Sequence, residues 1–427
     1  MALKCEVGTF TVPGSTGNQT ISLVDTGFGT IAALLLWMSY ETAEADTGAD
    51  LRFSQGLGTY RGAAAVQYHN AVISVDGVGT SDSANNGGTG SILRGFSDAT
   101  PTNDFEADLT SLGDAQFVIN WVDLPTTASL KCNYLALGGA EITDALVGSF
   151  TTTGAGAGTQ DVTVTAGFGK PDLILVIHGT SGGAGHARLM FGVGKDDSNQ
   201  GVSGFIDEDA RPNMEVAAVQ RAEFIGLLVS DTAFFTAATL SARASWPTDG
   251  FQINKSVDPA AADFGYLALR GTFTSVIGSG TVPTAAPPVD QDLAVGATPR
   301  GAIFFHNALP TIAGLDNSNA DLGLFAMGAM DGTHEAWEGV GQDDANTSST
   351  THRHHSESKT IKMFTPAAAG TLTSEADASF SGNNVRLTWA DTDTVAREYR
   401  YLLLGDAVAA EFVPRHPAHD HGSVTIF

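Results

Sequence analysis

The sequence predicts an all-β protein made of three tandem antiparallel β-sandwich or jelly-roll-like domains. The first observation is a repeat: the segment Tyr-Leu-Ala-Leu-Gly at residues 134–138 returns in closely related form at residues 266–271 and 401–405. The second is the composition, since 50 glycines and only 16% charged residues favour short strands joined by glycine-rich turns over helices. The third is the order of landmarks before each tyrosine, which is the same in all three segments.

The repeat sets the domain boundaries. We predict a β-sandwich over residues 1–140, a second over 141–270 and a third over 271–405, followed by a C-terminal tail over 406–427 that lies outside the repeat. Each repeat is long enough for its own core, so we expect three independently packed domains, with residues 141–270 able to fold alone. Each should contain about seven or eight strands and no helix. The tail is a natural attachment segment.

Each repeat begins with the same succession of elements. A short opening strand is predicted at residues 7–11, 147–151 and 271–274. A glycine-rich turn and a glutamine follow, and we expect Gln19, Gln160 and Gln291 to satisfy backbone groups of a loop. A continuous apolar run then predicts a central strand covered on both faces, at residues 31–37, 173–178 and 302–306.

The repeats differ most in their middle thirds. The stretches near residues 60–90, 195–222 and 331–358 are polar and rich in Gly, Asp and Asn, which is typical of surface loops that carry recognition. The pattern then becomes regular again. Strands with period-two alternation are predicted at residues 117–121, 251–255 and 385–389, and each precedes the tyrosine strand.

A ring-bearing side chain recurs at the end of the apolar strand. Counting seven residues from Thr30, Pro171 and Pro299 leads to Trp37, His178 and His306. These rings could face a ligand at the end of a loop, or they could close the end of the hydrophobic core. Both readings stay open at the level of sequence.

The net charge of the chain argues against some classes of partner. With 47 acidic and 21 basic residues the formal charge is −26, so we expect no nucleic acid and no anionic membrane surface as a partner. The longest apolar run, residues 31–38, is too short to span a bilayer, and residues 1–6 lack the apolar core of a signal peptide. Cys5 and Cys132 could form a disulfide or remain two buried thiols.

Few residues suggest catalysis or metal binding. Residues 179–183 match G-x-S-x-G around Ser181, but an active nucleophile elbow joins a strand to a helix, and here a glycine-rich loop follows. His419 and His421 would point the same way on an extended strand, so around a threefold axis they could bind a transition metal, or they could simply be solvated. We predict no catalytic residue and no cofactor.

The series Gly-x-Phe-Thr, Gly-Asn-Gln-Thr, Gly-Phe-x-x-Pro before an apolar strand and a closing Tyr-Leu-Ala-Leu-Gly-Gly resembles virion structural proteins of tailed bacteriophages, once per repeat. Repeat 1 has Thr30 in place of the proline, and repeat 3 lacks the phenylalanine before Pro299. The resemblance implies a non-enzymatic, oligomeric component, a trimer or a higher ring, that is made in the host cytoplasm and displayed on the virion surface.

Three functions are compatible with the sequence: two belong to virion proteins and one lies outside that family. A tail or fibre component with adhesion to a host-surface glycan is our leading expectation, with other virion proteins as its partners. A capsid decoration protein is the first alternative. A free array of carbohydrate-binding sandwiches is the second, because such sandwiches also serve as lectins.

Overall fold

The computed structural model shows a chain that is almost entirely β-sheet. It describes residues 2–47, 50–98, 102–179, 183–211, 215–230, 233–307, 315–316, 322–343, 347–365 and 371–408. Within these ranges the one helical element is a three-residue 3-10 turn, Arg243–Ser245. The all-β prediction is confirmed.

In the described residues each repeat contributes eleven strands, more than the seven or eight predicted. Those of domain 1 are β1 (Lys4–Thr11), β2 (Gly17–Ser22), β3 (Ile31–Met38), β4 (Ala45–Thr47), β5 (Leu51–Arg61), β6 (Ala64–Ser74), β7 (Ser83–Gly88), β8 (Leu93–Phe96), β9 (Asn103–Gly113), β10 (Gln116–Asp123) and β11 (Lys131–Gly138). Those of domain 2 are β12 (Ile142–Thr151), β13 (Gly158–Thr163), β14 (Leu173–Gly179), β15 (Gly183–Ala184), β16 (Ala187–Gly194), β17 (Gln200–Asp207), β18 (Val216–Arg221), β19 (Ile225–Ser230), β20 (Ala233–Leu240), β21 (Gly250–Val257) and β22 (Asp263–Gly271). Those of domain 3 are β23 (Thr274–Thr281), β24 (Val289–Ala294), β25 (Pro299–His306), β26 (Leu315–Asp316), β27 (Leu322–Met330), β28 (Glu335–Asp343), β29 (Thr351–Ser356), β30 (Ile361–Thr365), β31 (Thr371–Ser381), β32 (Asn384–Asp391) and β33 (Glu398–Gly405).

Each domain is a sandwich of an inner seven-stranded and an outer four-stranded antiparallel sheet. In domain 1 the inner order is β1-β11-β3-β5-β6-β7 plus a seventh strand, and the outer order is β2-β10-β9-β8. Domains 2 and 3 repeat both orders with every strand number raised by 11 and by 22. Strands β3, β14 and β25 are internal, as their continuous apolar sequences predict.

The seventh strand of every inner sheet comes from another domain. Strand β15 of domain 2 pairs with β7 of domain 1, β26 of domain 3 pairs with β18 of domain 2, and β4 of domain 1 pairs with β29 of domain 3. The exchange is cyclic, so the three domains form a closed ring around a pseudo-threefold axis. No linker joins domain 3 back to domain 1, and that third contact is entirely non-covalent.

The inner sheets bury both faces. One face packs on the domain's own outer sheet, which gives each sandwich a separate core. The other faces the axis, where one large cluster contains equivalent residues of all three domains, among them Leu135, Leu267 and Leu402, each below 1% exposed. The expectation of independently packed domains is therefore wrong, because each domain buries half of its inner sheet against its neighbours.

The two ends of the ring differ. At one end, which we call the linker end, lie the short interdomain linkers at residues 139–141 and 272–273 and the last described residues after Gly405. The hairpins there are short, such as residues 62–63. At the other, the loop end, lie the exchanged strands and longer connections, for example residues 75–82.

The third opening strand uses Gly278, and not Gly271 as predicted, as its recurring glycine. The tyrosines Tyr134, Tyr266 and Tyr401 pair with Gly8, Gly148 and Gly278, so β23 begins at Thr274 rather than at residue 271. A side chain at any of these three glycines would overlap the paired tyrosine ring. The glycine that recurs in each opening strand is therefore required by close packing.

The polar middle thirds consist mainly of strands and not of surface loops. Residues 60–90, 195–222 and 331–358 contain β6, β7, β17, β18, β28 and β29, which are largely buried inner-sheet strands. The prediction failed because polar composition usually indicates solvent exposure. Here the polar side chains bond to neighbouring domains instead, which offsets the cost of burying them.

Candidate functional site

The rings singled out by sequence do not share one position. Strand pairing with the landmark tyrosines makes Trp37 equivalent to Ile177 and Phe305, whereas His178 and His306 are equivalent to Met38. The cause is the starting point of the count: Ile31 is the residue equivalent to Pro299, because they pair with the equivalent Gly138 and Gly405, so a count from Thr30 starts one residue too early. A shift of one residue moves a side chain to the opposite face of a strand.

All three rings lie in the interior. Trp37 faces the central core, and His178 and His306 lie on the opposite face of their strands, with none of the three above 1% exposed. Burial lowers the pKa of both histidines to about 3, and Arg188 adds to the effect at His178. These side chains are placed as core residues, and no described loop presents them to solvent.

The functional chemistry of the described residues is concentrated where domains meet. Each inner sheet places residues of its fifth strand across the sheet, β6, β17 or β28, against the next domain. Asn70, Ser203 and Glu338 are equivalent members of these strands. The residue just before the landmark tyrosine faces these strands: Asn133 bonds to Glu338, Gly265 lies against Tyr68, and Arg400 lies against Gly201. The three contacts use one geometry with three different sets of side chains.

The contact between domains 3 and 1, which we call the ring-closing interface, contains a buried carboxylate. Glu338 is fully buried and accepts hydrogen bonds from the Ser39 hydroxyl and from Nδ2 of Asn133 (3.1 Å), both in domain 1. Nδ1 of His355 lies 2.6 Å from Oε1 of Glu338. Burial raises the pKa of Glu338, and His355 and Ser39 oppose this effect. All of the carboxylate's described partners come from two domains that no linker connects.

The network continues outward from His355. Burial alone would lower the pKa of His355, but the charge of Glu338 and then Glu357 raise it above its ordinary value. Nε2 of His355 lies 3.4 Å from Oε1 of Glu357, and Glu357 forms an ion pair with Lys131 of domain 1 at 3.0 Å. A second pair crosses nearby, where Nε of Arg353 donates to Glu41 at 2.7 Å.

The contact between domains 1 and 2, which we call the aromatic interface, has a different centre. The ring of Tyr68, 2% exposed, lies against Gly179 and Gly265, and a side chain at either glycine would overlap it. Nδ2 of Asn70 donates to the carbonyl of Arg188 at 3.2 Å. Burial raises the pKa of Tyr68. At the centre of this contact a ring packed against bare backbone takes the place of the Glu338–His355 pair, and an ion pair between Arg61 and Asp144 at 3.5 Å crosses near the linker.

The contact between domains 2 and 3 is built on an amide and an arginine. Nδ2 of Asn307 donates to the carbonyls of Gly204 (2.8 Å) and Leu324 (2.7 Å). Arg400, 4% exposed, lies against Gly201, and burial lowers its pKa to about 10. Each contact thus uses a polar or aromatic group that its equivalents lack, so the order of domains around the ring is specified chemically.

One residue of each domain meets the others at the loop end of the axis. Ser74, Asp207 and Gln342 occupy equivalent positions in β6, β17 and β28, and all three are fully buried. The Ser74 hydroxyl donates to Oε1 of Gln342 at 2.9 Å, and Nε2 of Gln342 donates to Oδ1 of Asp207 at 3.2 Å. The hydroxyl of Ser83 donates to Oδ2 of Asp207 at 3.3 Å. We call the three equivalent residues the axial triad.

The cysteines, several histidines and Ser181 are the remaining candidates for a disulfide, for metal binding or for catalysis. Cys5 and Cys132 are both free thiols. Among the described residues no group of three His, Cys, Asp or Glu side chains could hold a metal ion. His352, His354 and His355 lie in β29 and are buried. Ser181, His419 and His421 lie outside the described residues.

The recurring glutamines bridge the two sheets at the seam of the sandwich. Nε2 of Gln19 donates to the Thr11 carbonyl at 2.9 Å, and Nε2 of Gln160 donates to the Thr151 carbonyl at 2.8 Å. The prediction that these glutamines satisfy backbone groups is confirmed at both positions. Oε1 of Gln291 instead accepts from the Tyr399 hydroxyl at 2.7 Å.

The surface clefts are small and of mixed charge. A cleft of about 300 Å³ at the linker end lies between domains 1 and 3 beside Cys5 and Arg300. A cleft of about 480 Å³ in domain 2 is lined by Lys170, Arg243 and Arg270. Their cations are engaged: Arg300 pairs with Asp406, and Arg243 pairs with Asp172, each at 2.6 Å. His334 also lines the first cleft, but burial raises the pKa of the Cys5 thiol and so disfavours its nucleophilic thiolate form.

Comparison with family models and with curated proteins identifies no relative of this chain. No protein-family model matches the sequence, and no curated protein matches it significantly. In the part of the chain that the structure describes, no helix has the length and apolar character needed to cross a membrane.

One position in the repeated sequence does indicate the interfaces between domains. The position before the landmark tyrosine is Asn, Gly or Arg, although the segments that follow are nearly identical. A position that changes chemistry within a repeat whose framework is constant indicates a contact outside the repeat. Here it faces the neighbouring domain in every case.

Proposed function

We propose that the chain is a non-enzymatic structural protein displayed on the exterior of a tailed-phage virion, as a tail or fibre component with adhesion at its loop end. The observation that carries the proposal is the cyclic exchange of strands, which makes one chain behave as a closed trimeric block. Such a block is rigid and has one end for anchoring and one for recognition. The formal charge of −26 would keep neighbouring particles apart.

The use of polar groups supports a structural role. Glu338 and Asp207, two of the buried groups that could act as acids or bases, are hydrogen-bonded across domain boundaries and closed to solvent, and the buried His355 is bonded to Glu338. An active site needs such groups at a cleft that a substrate can enter. Their placement here serves assembly.

The linker end is suited to attachment. Asp406 forms a bidentate pair with Arg300 (2.8 and 2.6 Å), and the amide of Ala407 donates to Glu141 at 2.9 Å. The chain therefore leaves the ring from a fixed point at the opposite end from the longer connections. Partner virion proteins would bind at this end.

The array of carbohydrate-binding domains receives less support. Binding of sugars commonly uses exposed aromatic rings. All five tryptophans are buried, none above 3% exposed. Tyr60 is exposed, but it lies beside a short hairpin at the linker end. The same architecture would also suit a capsid decoration protein, which is the second candidate.

The test uses purified virions from the source and an antibody against the ring. We expect immunogold label on the tail or its fibres; label over the capsid surface would select decoration, and a chain absent from the particles would overturn the proposal. A chain truncated after Val408 keeps the contacts of Asp406 and Ala407. Its full incorporation into particles would show that the tail is not the attachment segment.

A further inference from the structure

We propose that the axial triad is a proton-operated lock, in which one proton on Asp207 determines how tightly the three domains are held together at the loop end. The geometry of the triad supports this proposal. Three equivalent strands bring one side chain each to the axis, and only one of the three side chains is ionisable. The lock is independent of the proposed role on a virion.

The surroundings of Asp207 disfavour its charged form. Its carboxyl group is fully buried, and its partners from the neighbouring domains are the uncharged side chains of Ser83, Gln342 and Ser74. The charged groups that act on it, Asp209 and Glu208, follow it in the chain and are both acidic. Glu208 is itself paired with Arg211 at 2.5 Å. No cation described at the axis compensates an Asp207 carboxylate.

Burial, the largest effect, raises the pKa of Asp207 from its ordinary value to about 7, although hydrogen bonds from Ser74 and Ser83 lower it. Because the closed ring binds this proton more tightly than an opened or unfolded chain, the stabilisation is fully present below the ordinary pKa of an aspartate. It is lost as pH rises from about 4 to about 7 and then stays constant. The lock is therefore tight in acid and loose above neutrality.

The decisive experiment compares wild type with Asp207→Asn, whose amide is uncharged at every pH. Hydrogen exchange at β6, β17 and β28 is followed at pH 5.5 and pH 8.0, with protection factors corrected for the intrinsic exchange rate. We expect protection in wild type to fall on the order of 30-fold between these pH values, and in Asp207→Asn to change little. Equal losses in both chains would overturn the proposal.

Glu335 provides a matched control. Burial also raises its pKa to about 7, but it lies within domain 3, where it accepts a hydrogen bond from Thr360 at 2.5 Å. Glu335→Gln should therefore retain the pH-dependent protection of β6 and β17. If Glu335→Gln abolishes it as Asp207→Asn does, the effect is not specific to the axis, and the lock is refuted.

A direct titration keeps the proposal testable if Asp207→Asn does not fold. The carboxyl ¹³C shift of Asp207 in the full-length wild-type chain should titrate with a midpoint between about pH 6 and 8. A midpoint below about pH 5 would show a carboxylate that is charged at the axis and would overturn the lock.

Discussion

The ring-closing interface and the aromatic interface occupy equivalent positions, yet they hold the domains by different means. Domains 1 and 2 are joined by the short linker at residues 139–141, and their contact centres on Tyr68 packed against two glycines. Domains 3 and 1 have no linker, and their contact centres on Glu338 with partners from both sides. The contact without a linker thus has the most directional chemistry.

The difference suggests what each contact must achieve. A linker keeps two domains at high effective concentration, so their contact can be centred on apolar packing, with hydrogen bonds such as that of Asn70 around it. The unlinked domains must in addition select the correct partner and register. A buried carboxylate does so because every misaligned arrangement leaves it without its donors.

Separating one domain from the ring should have the largest effect. Expressed alone, residues 141–270 would expose the axis-facing side of the inner sheet, including Leu175, Phe191 and Leu267, all fully buried in the ring. We expect an aggregated or non-cooperatively unfolding fragment, measured by chemical denaturation and sedimentation. A soluble monomer with a sharp unfolding transition would show that the outer sandwich core is sufficient.

Removing the buried carboxylate should destabilise the protein, although less than separating one domain from the ring does. Glu338→Ala leaves Ser39, Asn133 and His355 buried without their acceptor, so we expect a loss of about 3–5 kcal/mol in the free energy of unfolding. Urea denaturation at constant pH measures it. Glu338→Gln retains one carbonyl acceptor and should cost less. Equal costs for the two variants would mean that the carboxylate charge does not matter.

The aromatic interface can be tested by adding a single methyl group. Gly265→Ala places a methyl group within the space of the Tyr68 ring, and overpacking of this kind costs about 1–3 kcal/mol. In a Tyr68→Ala background the same substitution should cost much less, because the ring is gone. If the two effects are additive in thermal denaturation, the ring and the glycine do not act through each other.

Moving the linker to the ring-closing interface should have the smallest effect on stability. It also tests directly whether the missing linker explains the buried carboxylate. A circular permutant that starts at residue 141, with residue 408 joined to residue 2 by about four flexible residues, ties domain 3 to domain 1 and frees domain 1 from domain 2. We expect it to fold, with Glu338→Ala about 1 kcal/mol less costly than in the natural order. An unchanged cost would separate the ion pair from the missing linker.

The fold class was predictable because its signals are local. The period of the tyrosine segment and the alternation of apolar residues identify strands without reference to distant parts of the chain. The central apolar strands β3, β14 and β25 and the seam glutamines Gln19 and Gln160 follow from such patterns.

The interfaces were not predictable in the same way, because their partners are remote in sequence. Asn133 and Glu338 lie 205 residues apart, and without its partners the strand around Glu338 looks like a polar loop. The offset of Trp37 from His178 and His306 arises because Thr30 lies one residue before the position equivalent to Pro299, which strand pairing reveals and a count along the chain misses. Sequence reasoning placed the strands and missed what their polar residues bind.

The direction of the strands has a mechanical consequence. Because the fixed exit point at Asp406 and the longer connections lie at opposite ends of the ring, a pulling force between them runs parallel to the inner strands. Such a load shears the hydrogen bonds of a ladder such as β25 with β33 together instead of peeling them apart singly. The ring should therefore resist stretching along its axis much better than a force that pulls two domains sideways, which would open their contact from one edge.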